Sequence, residues 1–483
     1  MEVISRDYIT PDLVYKNYSQ TYTYENLVDN IKFWKIILYE EYGMRPGMSI
    51  ALVDQAVKFS YCSLFFAAAE LGLKILIFPE KSERVDGYSA KLESVVAHWG
   101  LVDLIYYDDM VTKTPALLAM CHRYGRQTVQ EQVFFNYNIK DPKLFNEISN
   151  KVFANPEDVL VWTATSGTTA APKLLEYTHQ QLYRIGERNS RVFDFKNQSI
   201  IHLRNMHHAS VLMSNFLPGF RTSNNHYELI IDLSTDGTNR RLVEFIKSNQ
   251  VSRVVIPWKT MLDSLLEYMI KRNIKFEHEI HIVVGGFYVT KNYIDIIKKT
   301  NIAKLISMYG SNETFGPILL KVVDQYTDKD TFVENYLGTN PDDFYQIELV
   351  DQKLQVTCSS IYNGTKTLDD LFSGNNLSGY THNGRSNFYR INEVDFDPQV
   401  ITQMARSMFS NPNIELVTDM PKQRLYIAVW EGKFNLLKFN RWITSEYPGL
   451  TVAAYDFLDR RNFEDFKIDY EGLRNHFRNR FNQ

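Results

Sequence analysis

The sequence predicts an α/β protein: a large N-terminal domain of mostly parallel sheets with packed helices, followed by a small α+β C-terminal domain. Three observations predict it. Helix-like stretches alternate with short apolar strands along most of the chain; near residue 340 the texture changes to shorter alternating strands separated by Asn, Gly and Ser; and 483 residues exceed the roughly 250–300 that one hydrophobic core accommodates. Apolar residues make up 44% and aromatics 14%, which places the chain among ordinary folded proteins.

The helical stretches are 24–44, 240–250 and 258–273, and the apolar strands are 49–54, 74–79, 104–109, 159–164, 252–258 and 280–286. The most apolar window, YCSLFFAAAELGLKILIFP at 61–79, is interrupted by Glu70 and Lys74, and Gly72 separates a helical half from a β-branched half. It reads as a buried helix turning into a buried strand rather than a membrane span. Past residue 340 the strands shorten, as in DFYQIELVDQKLQVTCSS and later RLYIAVW, and a second, smaller α+β unit closes the chain. The turn-rich run SGNNLSGYTHNGRSN, 373–387, is the expected hinge because Gly, Asn and Ser ease backbone rotation, giving domains 1–386 and 387–483.

A formal charge of −4 argues for no nucleic-acid or anionic-membrane partner and leaves small-molecule chemistry. Cys62, Cys121 and Cys358 are distant and odd in number, which suits neither a disulfide framework nor a clustered metal site, so a reducing, cytoplasmic setting is expected. The N-terminus has no basic stretch followed by an apolar run, so no secretory signal is expected.

Strand 159–164, VLVWTA, opens directly into TSGTTAAPK. Consecutive backbone N–H groups with the hydroxyls of Thr165, Ser166, Thr168 and Thr169 around Gly167 make an anion-binding concavity, and Lys173 adds a mobile charge for a phosphate oxygen. Neither GxxxxGK[ST] nor GxGxxG occurs in the chain. Taken alone, the segment reads equally as a polar surface turn capped by Pro172.

TSGTTAAPKLLEYTH resembles the signature loop of the adenylate-forming enzymes, the superfamily of acyl- and aryl-CoA synthetases, luciferases and nonribosomal peptide synthetase adenylation domains, with Thr178 and His179 as its closing pair. Ala170 stands where the family has Gly, and Leu174 follows the lysine where Gly is usual. SMYGSNETFG, 307–316, is similar to the family's Y-G-x-T-E. The resemblance implies that Tyr309, beside Gly310 and Ser311, stacks on adenine and that Glu313 holds Mg²⁺, with Asn312 in place of Thr. Hard-cation chemistry agrees, since Mg²⁺ with phosphates takes a carboxylate, although an acid there also reads as a helix-start residue. VVGGFYVT, 283–290, is similar to the Gly-Gly turn beneath adenine, placing Gly285 and Gly286 there and Phe287 at the acyl pocket's edge.

NMHHASVLM, 205–213, puts His207 at the family's aromatic or His position near the acyl pocket. His208 falls where amino-acid-activating relatives carry an Asp, which disfavours an α-amino acid substrate; both histidines also read as ordinary core or cap residues. LDDLFSGNNLSGYTHNGRSN, 368–387, resembles T-G-D-L and G-R-x-D, implying that Asp370 and Arg385 hold the ribose hydroxyls, with Asn387 in the hinge acid's place. Glu393 replaces the Gly past which pantetheine threads in CoA ligases. FKIDYEGLR, 466–474, looks like G-K-I-D-R-x-x-L-R, making Lys467 the implied catalytic lysine and Phe466 the replacement for Gly.

The resemblance implies an ATP- and Mg²⁺-dependent ligase that converts a small carboxylic acid to an acyl-adenylate with release of pyrophosphate. Closure of the small lobe brings Lys467 to the α-phosphate, and the acyl group then passes to a thiol or amine acceptor such as CoA, a carrier protein or a small amine. Two other readings compete: an acyl- or aryl-CoA synthetase, and a degenerate nucleotide-binding protein, favoured by Ala170, Asn312, Asn387 and Phe466. Retention of Lys467, Glu313, Asp370 and Arg385 speaks against decay.

Overall fold

The computed structural model describes the chain except residues 1, 18–19, 54–57, 78–99, 108–114, 131–140, 165–173, 197, 204–210, 230–237, 257–258, 287–288, 312–313, 334, 363, 386–388, 393, 397, 410, 412, 420–421, 423, 460–469 and 482–483. The helix Tyr24–Glu40 shows how local chemistry sets the elements. Thr23 caps it in a capping box with Asn26, and Leu27, Ile31, Trp34 and Leu38 recur on its buried face. It stops short of the expected residue 44. Gly43 takes φ +64 and the Met44 N–H turns back onto the Leu38 carbonyl at 2.9 Å.

The window 61–79 is a buried helix, Phe59–Glu70, then Gly72 at φ +71 and the strand Lys74–Ile77. Glu70 tolerates this core because it is paired. Its carboxylate accepts from the Arg6 guanidinium and, at 2.7 Å, from Lys35 Nζ, which also donates to the Lys151 carbonyl at 2.6 Å. Burial alone raises a carboxyl, but these hydrogen bonds and charges outweigh it and hold Glu70 below the usual range.

Two sheets organise the N-terminal part. The eight-stranded sheet runs Gly316–Asp324, Lys304–Ser311, His281–Gly285, Arg253–Ile256, Ser199–His202, Asn225–Glu228, Val14–Lys16, Thr21–Thr23. Its six central strands are parallel and only the outer pairs are antiparallel, as the alternation of helix and strand predicts. The six-stranded sheet runs Gly125–Gln130, Val102–Tyr107, Ser49–Val53, Lys74–Ile77, Val159–Ala164, Leu174–Thr178, parallel except for its last pair. The helices Thr238–Asn249, Lys259–Lys271 and Asn292–Thr300 cover one face of the larger sheet, with Leu262, Leu266 and Ile294 against Val254, Ile282 and Val284. Phe216 and Phe220 meet Phe65 and Phe66 at ring separations of 5.3 to 6.0 Å.

The chain divides into two compact units: Met1–Leu349 with Gln355–Thr367 and Gly374–Thr381, and Val350–Leu354 with Leu368–Ser373 and His382–Gln483. The second contains the three-stranded sheet Ile414–Asp419, Arg424–Val429, Val452–Phe457 and the helices Pro398–Met408, Leu436–Glu446 and Tyr470–Phe481, an α+β arrangement. Cys62, Cys121 and Cys358 are buried thiols. Among the described residues, no helix is long and apolar enough to cross a membrane.

Three buried histidines give the fold an acid limit. His226 Nε2 lies 3.2 Å from the Ser223 carbonyl, which can only accept, so in the neutral ring Nδ1 is bare and accepts from His202 Nε2 at 2.9 Å. Burial lowers His202, and lowers His226 and His179 to about 4. A ring with a depressed folded pKa binds fewer protons folded than unfolded, so its contribution is complete above pH 6.5 and is lost as the pH falls toward 4. The expected loss is about 3 kcal/mol for each of His226 and His179 at 1.36 kcal/mol per pKa unit. Urea unfolding at pH 7, 5.5 and 4.5 measures it; a stability unchanged between pH 7 and 4.5 contradicts the assignment.

Candidate functional site

His281–Gly285 and Lys304–Ser311 are adjacent parallel strands of the eight-stranded sheet, so their C-terminal ends lie at one edge of it, where open α/β sheets bind ligands. Gly285 ends His281–Gly285 opposite Met308 of Lys304–Ser311. A Cβ on Gly285 meets the Met308 side chain at 3.2 Å, whereas Gly286 sits at φ +79 with nothing among the described residues within 4 Å of its would-be Cβ. That open, left-handed backbone can approach a flat base. Phe287 lies outside the described residues, as does His207, which follows five positions after the end of Ser199–His202.

Tyr309, Gly310 and Ser311 end the neighbouring strand, and Tyr309 is half-buried. The register slips between Tyr309 and Gly310, and Gly310 and Ser311 then pair with Pro317 and Gly316. Thr314 locks the return. Its N–H donates to the Ser311 carbonyl at 3.2 Å, and its hydroxyl lies 3.0 Å from both the Ser311 N–H and the Ser311 carbonyl. Its carbonyl accepts from the Tyr345 hydroxyl at 2.8 Å. Asn312 and Glu313 fall between these two anchors in sequence and lie outside the described residues.

The Thr165, Ser166, Gly167, Thr168, Thr169 and Lys173 segment is outside the described residues too, but the hairpin that carries it is described. Ala164 pairs with Leu174 and Thr163 with Leu175, so the segment leaves and returns at one point. Trp162 Nε1 donates to Glu176 across the hairpin at 3.0 Å. Thr178 caps the helix His179–Val192 in a capping box with Gln181, and buried His179 Nδ1 accepts from the Ile4 N–H at 3.2 Å. The Thr-His pair thus anchors the return strand to the helix and to the N-terminal segment.

In the second unit, Asp370 lies within Thr365–Asn375, 3.7 Å from His382 Nε2, each side chain 14% exposed. Arg385 ends Gly379–Arg385, its side chain outside the described residues, and Glu393 and Lys467 are outside as well. The helix that follows Lys467, Tyr470–Phe481, is firmly held: Arg478 makes a bidentate pair with Asp419 at 2.8 and 2.7 Å, and Phe477 stacks on Tyr426 at 4.9 Å. Thr314, Tyr345 and His382 escaped the sequence reading. Thr314 is adjacent to Glu313, and that adjacency was the available signal.

Sheet order, strand polarity and the two-unit division define the fold of the adenylate-forming enzymes, and the comparisons agree. The chain is similar to McyG A-PCP in complex with phenylalanyl-adenylate (TM-score 0.73, 17% identity, 97% of this chain and 80% of that one). It is similar to o-succinylbenzoate CoA synthetase, MenE, from Bacillus subtilis with its acyl-adenylate (0.70, 16%, 97% and 96%). It is also similar to ATP-bound MatB from Rhodopseudomonas palustris (0.64, 14%, 97% and 96%). Comparison with curated proteins finds no match. The family model described as AMP-binding enzyme matches residues 19–357. The chain belongs to the AMP-binding enzyme family, and it is an ATP-dependent adenylate-forming ligase.

Proposed function

We propose that Tyr309 and the Gly285–Gly286 backbone hold the adenine of ATP, that the 165–173 loop with Lys173 holds its β- and γ-phosphates, and that a small carboxylic acid other than an α-amino acid is the second substrate. The observation that carries this is the common edge: the open backbone at Gly286 and the braced Ser311–Thr314 turn end adjacent parallel strands. Asp370 and Arg385 take the ribose hydroxyls.

Among the described residues no three His, Cys, Asp or Glu side chains form a metal cage. Mg²⁺ bound through phosphates needs only one or two carboxylates, so Glu313, next to Thr314 in sequence, suits it in kind. When bound there, Mg²⁺ screens the charge of the departing pyrophosphate. Lys467 steers the carboxylate oxygen onto the α-phosphorus; placement and charge neutralisation, rather than proton transfer, carry the step. The carboxylate oxygen bonds to phosphorus as the bond to pyrophosphate breaks, leaving the acyl-adenylate.

A thiol or an amine then attacks the acyl carbon and takes the acyl group as the bond to the AMP phosphate oxygen breaks; AMP leaves and the nucleophile's proton passes to solvent. The neighbours named as CoA synthetases support a thiol, while Glu393, a carboxylate where CoA ligases resemble one another in carrying Gly, favours an acceptor other than CoA. The test is exchange of labelled pyrophosphate into ATP across a panel of carboxylic acids. Exchange is expected only with a matching acid; exchange that proceeds without any acid contradicts the proposal.

A further inference from the structure

Arg188 is fully buried on the helix His179–Val192, and each nitrogen of its guanidinium has a partner. Nε and Nη2 hold the Asp342 carboxylate side-on at 2.8 Å, while Nη1 donates to the Pro317 carbonyl at 2.7 Å and to Asn189 Oδ1 at 3.2 Å. The guanidinium lies over the Tyr345 ring, 4.7 Å from its centroid. A buried ion pair is weak evidence for stability, because apolar side chains of similar volume often serve a core as well; its best-attested use is to fix register. What Arg188 reaches is the end of the strand Lys304–Ser311. Pro317 pairs with Gly310 where the register slips after Tyr309, and a proline brings no N–H to the ladder there. Tyr345 donates its hydroxyl to the Thr314 carbonyl at 2.8 Å, and the Thr314 hydroxyl accepts from the Ser311 N–H at 3.0 Å. One buried cation thus bears on both sides of Tyr309–Ser311, through Pro317 on the partner strand and through Tyr345 and Thr314 beyond the strand's end.

We propose that Arg188 is a positioning residue that sets how Tyr309 meets the adenine of ATP; this rests on the nucleotide reading above. Arg188 touches no substrate in that reading and acts by direction. The side-on pair with Asp342 fixes the plane of the guanidinium, and Nη1 then places the Pro317 carbonyl, hence the Gly310↔Pro317 pairing beside Tyr309. An apolar side chain fills the same volume without a directed bond, so it keeps the core and loses the placement.

The test is calorimetric titration of the full chain with ATP and, separately, with inorganic triphosphate, which lacks the base. The ratio of the two affinities is the base-dependent gain. Five proteins are compared. They are wild type; Arg188→Met joined to Asp342→Asn, which removes the pair together; Tyr345→Phe, which cuts the second route and spares the pair; Tyr309→Ala; and Tyr309→Ala joined to the pair replacement. Wild type is expected to bind ATP more tightly than triphosphate, and Tyr309→Ala to lose about tenfold or more of that gain, the scale of one stacked base. The pair replacement is expected to lose about fivefold to tenfold of it and Tyr345→Phe about threefold, while triphosphate affinity holds within about twofold in each. In the Tyr309→Ala background the pair replacement is expected to cost nothing further, because residues that act through one group are not additive. A full gain kept by the pair replacement or by Tyr345→Phe overturns the positioning role. So does a loss that multiplies with that of Tyr309→Ala, or an equal weakening of ATP and triphosphate that follows the thermal midpoint. Wild type that shows no gain, or Tyr309→Ala that keeps it, overturns the nucleotide reading itself.

Discussion

Lys467→Ala lowers acid-dependent pyrophosphate exchange by about 10²–10³, the effect of deleting one preorganised charge from a transition state. ATP affinity stays within about threefold, because the adenine, ribose and β/γ-phosphate contacts belong to other residues. The split between rate and binding is the diagnostic feature. A general folding defect lowers both, and a phosphate-binding lysine lowers affinity first. Lys467 lies outside the described residues; the helix that begins three residues later at Tyr470 is held against Ile414–Asp419, Arg424–Val429 and Val452–Phe457 by its bidentate Arg478–Asp419 pair, the Tyr426–Phe477 stack and the His476–Asp456 contact at 2.8 Å. Exchange measured beside equilibrium ATP binding decides the matter. Exchange that survives the substitution shows that Lys467 does not contact the reacting atoms.

Gly310→Ala is expected to damage both stability and nucleotide binding. A Cβ at Gly310 lies 2.1 Å from the Gly316 carbonyl oxygen, 2.8 Å from its carbon and 2.9 Å from Pro317 Cα, all backbone atoms that cannot rotate aside. The Gly310↔Pro317 and Ser311↔Gly316 pairing has to open, carrying Tyr309 and the Ser311–Thr314 turn with it. Overpacking of this kind costs about 1–3 kcal/mol, and a loss of ATP affinity of about tenfold or more is expected alongside it. Gly286→Ala is the control for crowding, read in the thermal unfolding. Among the described residues its Cβ meets nothing within 4 Å, so only the strain at φ +79 opposes it, about 1–2 kcal/mol, and the Gly310↔Pro317 pairing stays closed. Thermal unfolding with ATP titration of both variants separates them; equal stability for Gly310→Ala and wild type contradicts the crowding.

Much of this architecture was legible in one dimension. Apolar runs at 49–54, 104–109 and 280–286 correspond to Ser49–Val53, Val102–Tyr107 and His281–Gly285, and 159–164 to Val159–Ala164 with the same bounds. Alternation with helices required parallel strands, because a crossover helix returns the chain to the same end of the sheet. Helix ends were less legible. The 24–44 stretch keeps its helical composition past Glu40, and the stop at Gly43 depends on one left-handed residue. Glu70 read as an interruption of an apolar window; that it is an ion-paired member of the core depends on Arg6 and Lys35, far away in the chain.

The sequence by itself determined the fold class, the family and the order of the charged and glycine-bearing motifs, since these depend on local pattern and spacing. Only the tertiary structure decided how the motifs are braced. Thr314 on Ser311, Tyr345 on Thr314, Tyr177 on Phe315 and His382 beside Asp370 are contacts between or beside segments whose proximity depends on sheet order and register. The physical reason is that a side chain's propensity acts over a few residues, whereas a buried hydroxyl or ring finds its partner only once distant strands have paired.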